Sequence, residues 1–310
     1  YRLVLTIDTL PPSVSLNVPT YVTDGINIEY SASDNSLIAS ITLRINGSIV
    51  DSRSSAGSYV YLWQTDLWDD GAYNITVVAA DAAGNMQYTY KIVYVDNSPP
   101  NIIEVAPVEG YIVNDTTLNI HVIASDDISN ISKVEIYVDW SHYTKTYNAE
   151  LIDDTIPISL SPIEGEKLIT IVVTNGVGLE AKVSLTVTVD LSPPDIQVSI
   201  VNNTYFATTN ISIDWVSTDS ISNVDCLYIR LDEGDWTQFG ASGTMLVVDL
   251  IEGRHTFSIK AIDTAGNTIV ENYVFFVDLS PPYIEFTLSL IHISEPTRPR
   301  LISYAVFCLK

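Results

Sequence analysis

Short segments in which hydrophobic and polar residues alternate make up most of the first 287 residues. Alternation with a period of two predicts strands that bury one face. In the first third of the chain the apolar positions of three such segments are Val14, Leu16 and Val18, then Ile26, Ile28, Tyr30 and Ala32, then Ile41, Leu43 and Ile45. Similar segments follow later, and none shows helical spacing. The pattern therefore predicts an all-β chain of antiparallel sandwiches.

A short phrase, Val-Asp-x-Ser-Pro-Pro or a close variant, recurs along the chain. The proline pairs begin at Pro11, Pro99, Pro193 and Pro281, at intervals of 88, 94 and 88 residues. Self-similarity at a fixed period indicates tandem domains, and this period is close to the ~100 residues of an immunoglobulin-like sandwich.

The proline pairs suit joints between domains. Proline fixes its own φ, biases the preceding residue toward extended backbone and has no N–H to donate to a ladder. We therefore predict that Pro99 with Pro100, and Pro193 with Pro194, end one domain's last strand and form a short, stiff connector to the next domain.

The repeat predicts a division of the chain into an extended array. The segments are the last strand of a preceding domain (1–8), three complete immunoglobulin-like domains (9–96, 97–190 and 191–278) and the first strand of a truncated fourth domain (279–287). Residues 288–310 break the pattern and resemble the translation of a sequencing-library adapter, so they are left out of the fold prediction. The chain is thus expected to be a fragment of a longer protein.

One turn motif points to a specific sandwich corner. Asp69, Gly71 and Tyr73 have the Asp-x-Gly-x-Tyr spacing of a tyrosine corner, in which the tyrosine hydroxyl donates to upstream backbone. The later repeats place Lys167 and His255 in the tyrosine column. For His255 we expect a structural role.

A second motif predicts a hairpin loop. The sequence Asp-x-Ala-Gly-Asn occurs at 81–85 and again at 263–267. Its aspartate can cap the turn, and Gly84 or Gly266 can adopt the left-handed backbone that a Cβ disfavours. The middle repeat reads Asn-Gly-Val-Gly-Leu from Asn175, and we expect a different turn there.

These motifs carry a resemblance to a known family. The Pro-Pro starts after a Val-Asp-x-Ser exit strand, together with the Asp-x-Ala-Gly-Asn hairpin, resemble the bacterial and archaeal immunoglobulin-like domains of large surface proteins. The resemblance covers residues 1–287. It implies stalks, spacers or adhesion modules outside the cell, although the fold itself implies no single role.

Three acidic columns are expected to meet near each joint, because the entering linker, the second loop and the hairpin loop lie at one end of such a sandwich. The predicted groups are Asp8, Asp34 and Asp81; then Asp96, Asp126 and Asp127, with Asn175 in the hairpin column; then Asp190, Asp219 and Asp263. Converging oxygen ligands suit a hard cation such as calcium. The alternative is that each aspartate only caps its own turn.

Six Asn-x-Ser/Thr sequons are candidates for glycosylation: Asn46, Asn74, Asn114, Asn130, Asn202 and Asn210. They agree with a secreted protein.

Composition and charge narrow the function classes. The chain has 38 acidic and 14 basic residues and a net charge of −24, which makes nucleic acid and anionic lipid poor partners. Its two cysteines exclude a disulfide framework, and no apolar run is long enough to span a membrane. Known catalytic motifs are missing from the sequence, so we expect no enzyme and no cofactor other than calcium.

Three functions stay open at this point. The first is a non-catalytic extracellular spacer, stalk or adhesion segment. The second is a module that binds a polysaccharide or a protein at the cell surface, and the third is an accessory region of a larger secreted hydrolase. An exposed aromatic cluster in one repeat would favour the binding module, whereas polar and interchangeable loops would favour the spacer.

Overall fold

The computed structural model describes residues 7–285, which form twenty-four strands and one 3₁₀ turn at Thr65–Leu67. Most of the strand predicted over 1–8 and the adapter-like residues 288–310 lie outside this range, as do residues 286 and 287 of the strand predicted over 279–287. The described residues of the predicted fourth domain, 279–285, contain no strand.

The first repeat contains eight strands: β1 (Ser13–Asn17), β2 (Tyr21–Val22), β3 (Gly25–Ser33), β4 (Ile38–Ile45), β5 (Ser48–Arg53), β6 (Gly57–Gln64), β7 (Gly71–Asp81) and β8 (Met86–Val95). They form a three-stranded sheet in the order β1-β3-β6 and a five-stranded sheet in the order β2-β8-β7-β4-β5.

The second repeat has the same arrangement: β9 (Asn101–Ala106), β10 (Tyr111–Val113), β11 (Thr117–Ser125), β12 (Ile131–Val138), β13 (Ser141–Ala149), β14 (Leu151–Ser159), β15 (Gly165–Asn175) and β16 (Glu180–Val189). Its sheets have the orders β14-β11-β9 and β10-β16-β15-β12-β13.

The third repeat follows the same plan: β17 (Asp195–Val198), β18 (Thr204–Phe206), β19 (Ile211–Thr218), β20 (Val224–Leu231), β21 (Thr237–Phe239), β22 (Ser242–Val247), β23 (Gly253–Asp263) and β24 (Thr268–Val277). Its sheets have the orders β17-β19-β22 and β18-β24-β23-β20-β21. The fold is therefore all-β, as predicted, with immunoglobulin-like sandwiches in tandem.

Each repeat packs its own hydrophobic core between its two sheets. In the first repeat the core includes Ile28, Leu43 and Trp63, at alternating positions of β3, β4 and β6. The core of the third repeat is built only from its own strands and loops. The core of the second repeat is also its own, except that Leu191, in the linker after β16, packs against it. The alternating sequence pattern accounts for this, because every second side chain of a strand faces the opposite sheet.

The entry segment of each repeat divides between the two sheets. In the first repeat β1 pairs antiparallel with β3, whereas β2 crosses over and pairs parallel with the end of β8. The same crossing occurs at β10 with β16 and at β18 with β24. The sequence analysis did not foresee this second short strand.

The strand register brings three loops together at the entry end of each sandwich. Ser13, the first residue of β1, pairs with Ser33, the last residue of β3. Asp81, the last residue of β7, pairs with Ile38 at the start of β4. The linker, the β3–β4 loop and the β7–β8 loop are therefore neighbours, and the acidic columns of the sequence lie in these three segments.

The proline pairs lie between strands, in the described part of the chain. No strand covers 96–100, between β8 and β9, or 190–194, between β16 and β17. The two sheets of each repeat thus end before the joint, and the ladder of one repeat does not continue into the next.

Candidate metal sites at the domain joints

The third joint brings the three predicted carboxylates together. One oxygen each of Asp190, Asp219 and Asp263 lies within 4.8 Å of the other two. Asp190 follows β16 in the linker, Asp219 follows β19, and Asp263 ends β23. The site therefore draws one ligand from the linker and two from the loops of the domain that follows.

Asp190 is the most unusual member of this group. Its side chain is 0% exposed, and among the described residues neither carboxylate oxygen has a hydrogen-bond partner. A buried carboxylate without a partner is strongly unfavourable unless a cation or a proton compensates it. The Asp190 carboxylate thus lies beside two further carboxylates and accepts no hydrogen bond from the described residues.

Burial raises the pKa of Asp190, and the carboxylates of Asp219 and Asp263 raise it further. The nearby Ser222 hydroxyl and Ser192 amide act in the opposite direction, although neither makes a hydrogen bond of normal geometry to it. The direction of the shift agrees with the geometry, because both show that the ionised form is poorly compensated.

The other two carboxylates are held by local turns. Asp219 Oδ1 accepts the backbone N–H groups of Ile221 and Ser222, at 2.9 and 2.8 Å. Asp263 Oδ1 accepts the Asn267 amide at 2.8 Å, and the Asn267 side chain donates to Asp263 Oδ2 at 3.0 Å. These turns fix the positions of the Asp219 and Asp263 carboxylates.

The first joint repeats this arrangement with Asp8, Asp34 and Asp81, whose ligand oxygens also lie within 4.8 Å of one another. Asp8 Oδ1 accepts the Leu10 amide at 3.1 Å, whereas its Oδ2 is buried and has no partner in the described chain. Burial acts to raise the pKa of Asp81, but hydrogen bonds from Asn85 and from the Ala83 amide outweigh it and lower that pKa.

The middle joint is different. Asp96 and Asp126 are both buried, but Asp127 is exposed, and within residues 7–285 it forms no group of three carboxylates with them. The prediction that Asp127 joins the cluster is therefore wrong: the chain bends after Asp126, whose Oδ1 accepts the Ser129 amide at 2.8 Å, and this turn leaves Asp127 on the outside.

Asn175 occupies the third place of the middle joint. Its Nδ2 donates to Asp96 Oδ2 at 3.1 Å and to Asp126 Oδ2 at 3.0 Å. Even so, the pKa of Asp96 is raised, first by burial and then by the nearby carboxylate of Asp126.

An asparagine ties the linker to the following domain at the first and third joints. Asn85 Nδ2 donates to the carbonyl of Asp8 at 3.2 Å, and Asn267 Nδ2 donates to the carbonyl of Asp190 at 2.9 Å. These asparagines close the Asp-x-Ala-Gly-Asn motif. Sequence reasoning treated the motif as a hairpin and missed its role in the joint.

A second repeated contact ties each linker to the preceding domain. Asp70 accepts the Asn97 amide at 2.7 Å and the Ser98 hydroxyl at 2.6 Å. In the same column Glu164 accepts the Leu191 amide at 3.0 Å, and Glu252 accepts the Ser280 hydroxyl at 2.7 Å. Each of these acidic residues directly precedes the first glycine of a strand, and that repeated Asp/Glu-Gly pair is the signal which could have identified them.

The tyrosine corner forms as the spacing predicts. The Tyr73 hydroxyl donates to the carbonyl of Asp69 at 2.8 Å. His255 makes the same contact in the third repeat, where its Nε2 lies 2.8 Å from the carbonyl of Ile251. Its Nδ1 lies 2.8 Å from Asp232 Oδ2. Burial alone would lower the pKa of His255, but the Ile251 carbonyl and the Asp232 carboxylate outweigh it and raise that pKa.

The hairpin loops agree with the prediction at two of three positions. Gly84 and Gly266 have φ of 93° and 94°, and Asp81 caps its turn through the Ala83 and Asn85 amides. The expectation of a different middle turn is wrong, because Gly178 has φ of 95° and Asn175 Oδ1 accepts the Leu179 amide at 2.8 Å. The asparagine side chain caps this turn in the way that an aspartate does.

The sequons lie mostly on the surface: Asn46, Asn74, Asn114, Asn202 and Asn210 are exposed, and Asn130 is half-buried. Two of them have consequences for neighbouring features. Asn74 pairs with Ile92 on the outer face of the first repeat, so a glycan there would cover that face. The Asn114 side chain lies close to Gly266 of the third joint.

An exposed row of aromatic and aliphatic side chains lies on the outer face of the first repeat. The row consists of Met86, Tyr88, Tyr90, Ile92 and Tyr94 on β8, with Tyr21 on β2. The rings of Tyr21 and Tyr94 stack with their centroids 5.4 Å apart. We call this row the tyrosine face.

Neighbouring positions on β7 are also uncharged, since Ala80, Val78, Thr76, Asn74 and Ala72 pair with the residues of the row. The corresponding outward positions of the second repeat are Glu180, Lys182, Ser184, Thr186 and Thr188, and those of the third are Thr268, Val270, Asn272, Val274 and Phe276. Among the three described repeats, therefore, only the first presents several tyrosines in an uncharged, exposed row on this strand.

Comparison with known proteins supports the fold. The family model described as "Bacterial Ig domain" matches residues 12–77. Among solved structures, three consecutive immunoglobulin domains of titin align with a TM-score of 0.50 at 14% identity, covering 88% of this chain and all of that one. The predicted resemblance to tandem bacterial immunoglobulin-like domains is thus confirmed. No curated protein matches the sequence.

Two further solved structures align with lower TM-scores. Fibronectin(III)-like modules of Clostridium thermocellum CbhA align with a TM-score of 0.37 at 18% identity, covering 57% of this chain and 94% of that one. A tetra-tandem repeat from the extending region of a large adhesion protein aligns with a TM-score of 0.32 at 19% identity, covering 87% and 74%. Separately, none of the described residues forms a helix that is long and apolar enough to cross a membrane.

Proposed function

We propose that this chain of immunoglobulin-like repeats is part of an extracellular, non-catalytic stalk or adhesive spacer whose joints are stiffened by calcium. The observation that carries the proposal is the third joint, where the fully buried Asp190 has two unpaired oxygens and faces two further carboxylates. A cation at this point bonds to the linker and to the next domain at once. It therefore holds the two domains at a fixed angle.

Calcium fits the donor set better than the transition metals. It takes six to eight oxygen ligands at about 2.3–2.6 Å, from carboxylates, carbonyls and water. The candidate ligand atoms of the first and third groups are all carboxylate oxygens, and neither group contains histidine or cysteine. Magnesium demands a stricter octahedron and keeps several waters, so it is the natural control ion.

The features that the three repeats share support the proposed spacer role. All three have the same sheet orders, and the specialised contacts lie at the joints. A chain with a net charge of −24 repels itself, so a cation bound at a joint also relieves repulsion between neighbouring domains.

Calorimetric titration of the full chain with calcium tests the proposal, with magnesium as the matched ion. We expect saturable calcium binding with a dissociation constant of about 0.1–1 mM, the range of extracellular modules. Hydrogen exchange should slow at 190–194 and 263–267 when calcium is added. The absence of binding, or equal binding of both ions without protection at these segments, contradicts the proposal.

A second candidate function is the binding of a neutral polysaccharide, and the tyrosine face favours it. Exposed aromatic rings present apolar surface that can stack on sugar rings. The outward positions of β8, which carries most of the face, and those of β7 that pair with them include no charged residue. In so acidic a chain, that lack of charge favours an uncharged ligand over an anionic one.

Affinity electrophoresis through gels that contain neutral glucans or mannans tests this second function. We expect retardation of the full chain and its loss in the double variant Tyr88→Ala and Tyr90→Ala. Tyr205→Ala is the matched control, because Tyr205 is a similarly exposed tyrosine on the third repeat. Migration unchanged by any of the polysaccharides, or equal loss in the control, counts against a binding role.

A further inference from the structure

The buried side chain of Asn175 bridges three acceptors at the middle joint. It is 1% exposed, and its Nδ2 lies 3.1 Å from Asp96 Oδ2, 3.0 Å from Asp126 Oδ2 and 3.2 Å from the carbonyl of Ser98. Two of these acceptors belong to the linker and one to the loop after β11. The amide thus links the same segments that the carboxylate clusters link elsewhere.

The orientation of this amide follows from its other contact. Asn175 Oδ1 accepts the backbone N–H of Leu179 at 2.8 Å, so the nitrogen must face the two carboxylates. An oxygen in that position would face two negatively charged groups and have no donor. The hydrogen bonds therefore assign the nitrogen and oxygen of the side chain without ambiguity.

The hairpin loop of the middle joint differs from those of the other two joints at its first and last positions. Asn175 ends its strand where Asp81 and Asp263 end theirs. Leu179 takes the place of Asn85 and Asn267, the residues that tie the linker carbonyl at the other joints. At the middle joint, the side chain that donates to the linker is therefore Asn175, at the start of the turn, and it stands in place of the third carboxylate.

We infer that the middle joint is closed by the Asn175 amide and takes no cation, so that calcium binds at two of the three joints that lead into a described repeat. This inference rests on the proposed function of the first and third joints. The amide supplies two N–H donors in the position that a cation occupies in the other two clusters. It lowers the formal charge of the group from −3 to −2 and gives each remaining carboxylate a donor.

The middle joint also has direct bonds to the preceding domain. Asn97 Nδ2 donates to the carbonyls of Thr65 and Trp68 at 2.9 and 3.0 Å. Asp70 accepts from Asn97 and Ser98 as described above. The linker is thus held on both sides without a metal, and removal of calcium loosens the third joint while the first and second repeats stay connected.

Nearby acidic residues offer the strongest competing arrangement. An open pocket beside the joint is lined by Asp70, Asp96, Asp126 and Asp127. A cation held there would make the middle joint calcium-dependent as well. However, within residues 7–285 these carboxylates form no group of three whose oxygens lie within 4.8 Å of one another, the Asn175 amide lies between Asp96 and Asp126, and Asp127 is exposed.

Calcium stoichiometry of the full chain tests the inference. Equilibrium dialysis should give two ions per wild-type chain and one in Asp263→Asn. The graft Asn175→Asp with Leu179→Asn rebuilds the turn of the other joints and should raise the number to three. Hydrogen exchange should show calcium-dependent protection at 190–194 but none at 96–101 in the wild type, and the graft should acquire protection at 96–101.

The outcomes separate this inference from the proposed function. No calcium on the wild type overturns the proposed function and, with it, the inference. Three ions, or calcium-dependent protection at 96–101 in the wild type, overturn the inference alone. Because the wild-type measurement needs no variant, a graft that fails to fold leaves this test intact.

Discussion

Replacement of Asp190 by asparagine should affect stability in opposite directions with and without calcium. The variant keeps the shape of the side chain, removes one negative charge from the third joint and adds a donor that can face Asp219 or Asp263. Without calcium this change should stabilise the third repeat. With calcium the variant should lose the stabilisation that the wild type gains from the bound ion.

The cluster geometry sets the magnitude. Two unit charges 4.8 Å apart, the upper limit of the ligand spacing, repel by about 1 kcal/mol in water and about 3.5 kcal/mol at an effective dielectric constant of ~20. Asp190 takes part in two such pairs, so its neutralisation relieves about 2 to 7 kcal/mol before relaxation. We expect the lower end, about 2 kcal/mol, because Asp219 is half-exposed and water screens it.

Calcium binding should stabilise the folded wild type by a comparable free energy. At about 10 mM calcium and a dissociation constant of about 0.1–1 mM, binding stabilises the folded state by about 1.5 to 2.7 kcal/mol. The advantage of Asp190→Asn in chelator should therefore fall to about zero, or reverse, when calcium is present.

Native-state hydrogen exchange measures this effect for the third repeat alone. The slowest amides of β19 and β23 report the free energy of opening of that sandwich, whereas unfolding curves of the full chain mix three repeats. Asp278→Asn is the matched control, because Asp278 has the same place in the repeat but is exposed and belongs to no described cluster. A destabilised variant in chelator, or the same difference from wild type in both conditions, would refute the reasoning.

Two further predictions concern the strand corners. Tyr73→Phe should lower the free energy of unfolding of the first repeat by about 1 kcal/mol, because the hydrogen bond to the Asp69 carbonyl is lost while the ring stays, as exchange of β7 amides can check. His255 has a raised pKa in the folded state, so its contribution to stability is complete below about pH 6.5, the ordinary pKa of histidine, and is lost as the pH rises through the folded value. Native-state hydrogen exchange of the slowest β23 amides at pH 6, 7 and 8, corrected for the intrinsic exchange rate, should show the free energy of opening of the third repeat falling as the pH rises. His255→Tyr, which restores the corner hydroxyl, should abolish that dependence, and an equal slope in the variant contradicts this role.

Much of the fold could be predicted from the sequence because its determinants are local. Alternation places Ile28, Leu43 and Ile45 in the core, and an alternating strand can bury only one face. The positive φ of Gly84 and Gly266 and the bond from Tyr73 to Asp69 depend on residues a few positions apart. Such features follow from backbone sterics and turn chemistry, which depend on residues that are close together in the sequence.

The composition of the joints was only partly predictable. The sequence placed Asp190, Asp219 and Asp263 in the right three loops, since strand order in this fold brings those loops together. It also grouped Asp127 with Asp96 and Asp126, but the turn after Asp126 leaves the Asp127 side chain exposed and outside the group. A shift of one residue in a loop reverses the direction of a side chain, and no local pattern marks that shift.

Surface exposure was the least predictable property. Trp63 and Trp215 are buried in the cores, whereas Trp140 is 99% exposed at the turn between β12 and β13. The tyrosines of β8 alternate with buried positions as strand residues should, yet only the absence of a covering element in the described structure leaves them in solvent.

The sequence by itself therefore determined the number and type of repeats, the corners, the turns and the loops that carry the acidic residues. Only the tertiary structure decided that Asn175 faces two carboxylates while Asp190 faces two carboxylates without a donor. The physical reason is that propensity and turn chemistry act between neighbours in the chain. The compensation of a buried charge depends on groups that lie far apart in sequence, and these meet only once the sheets have packed.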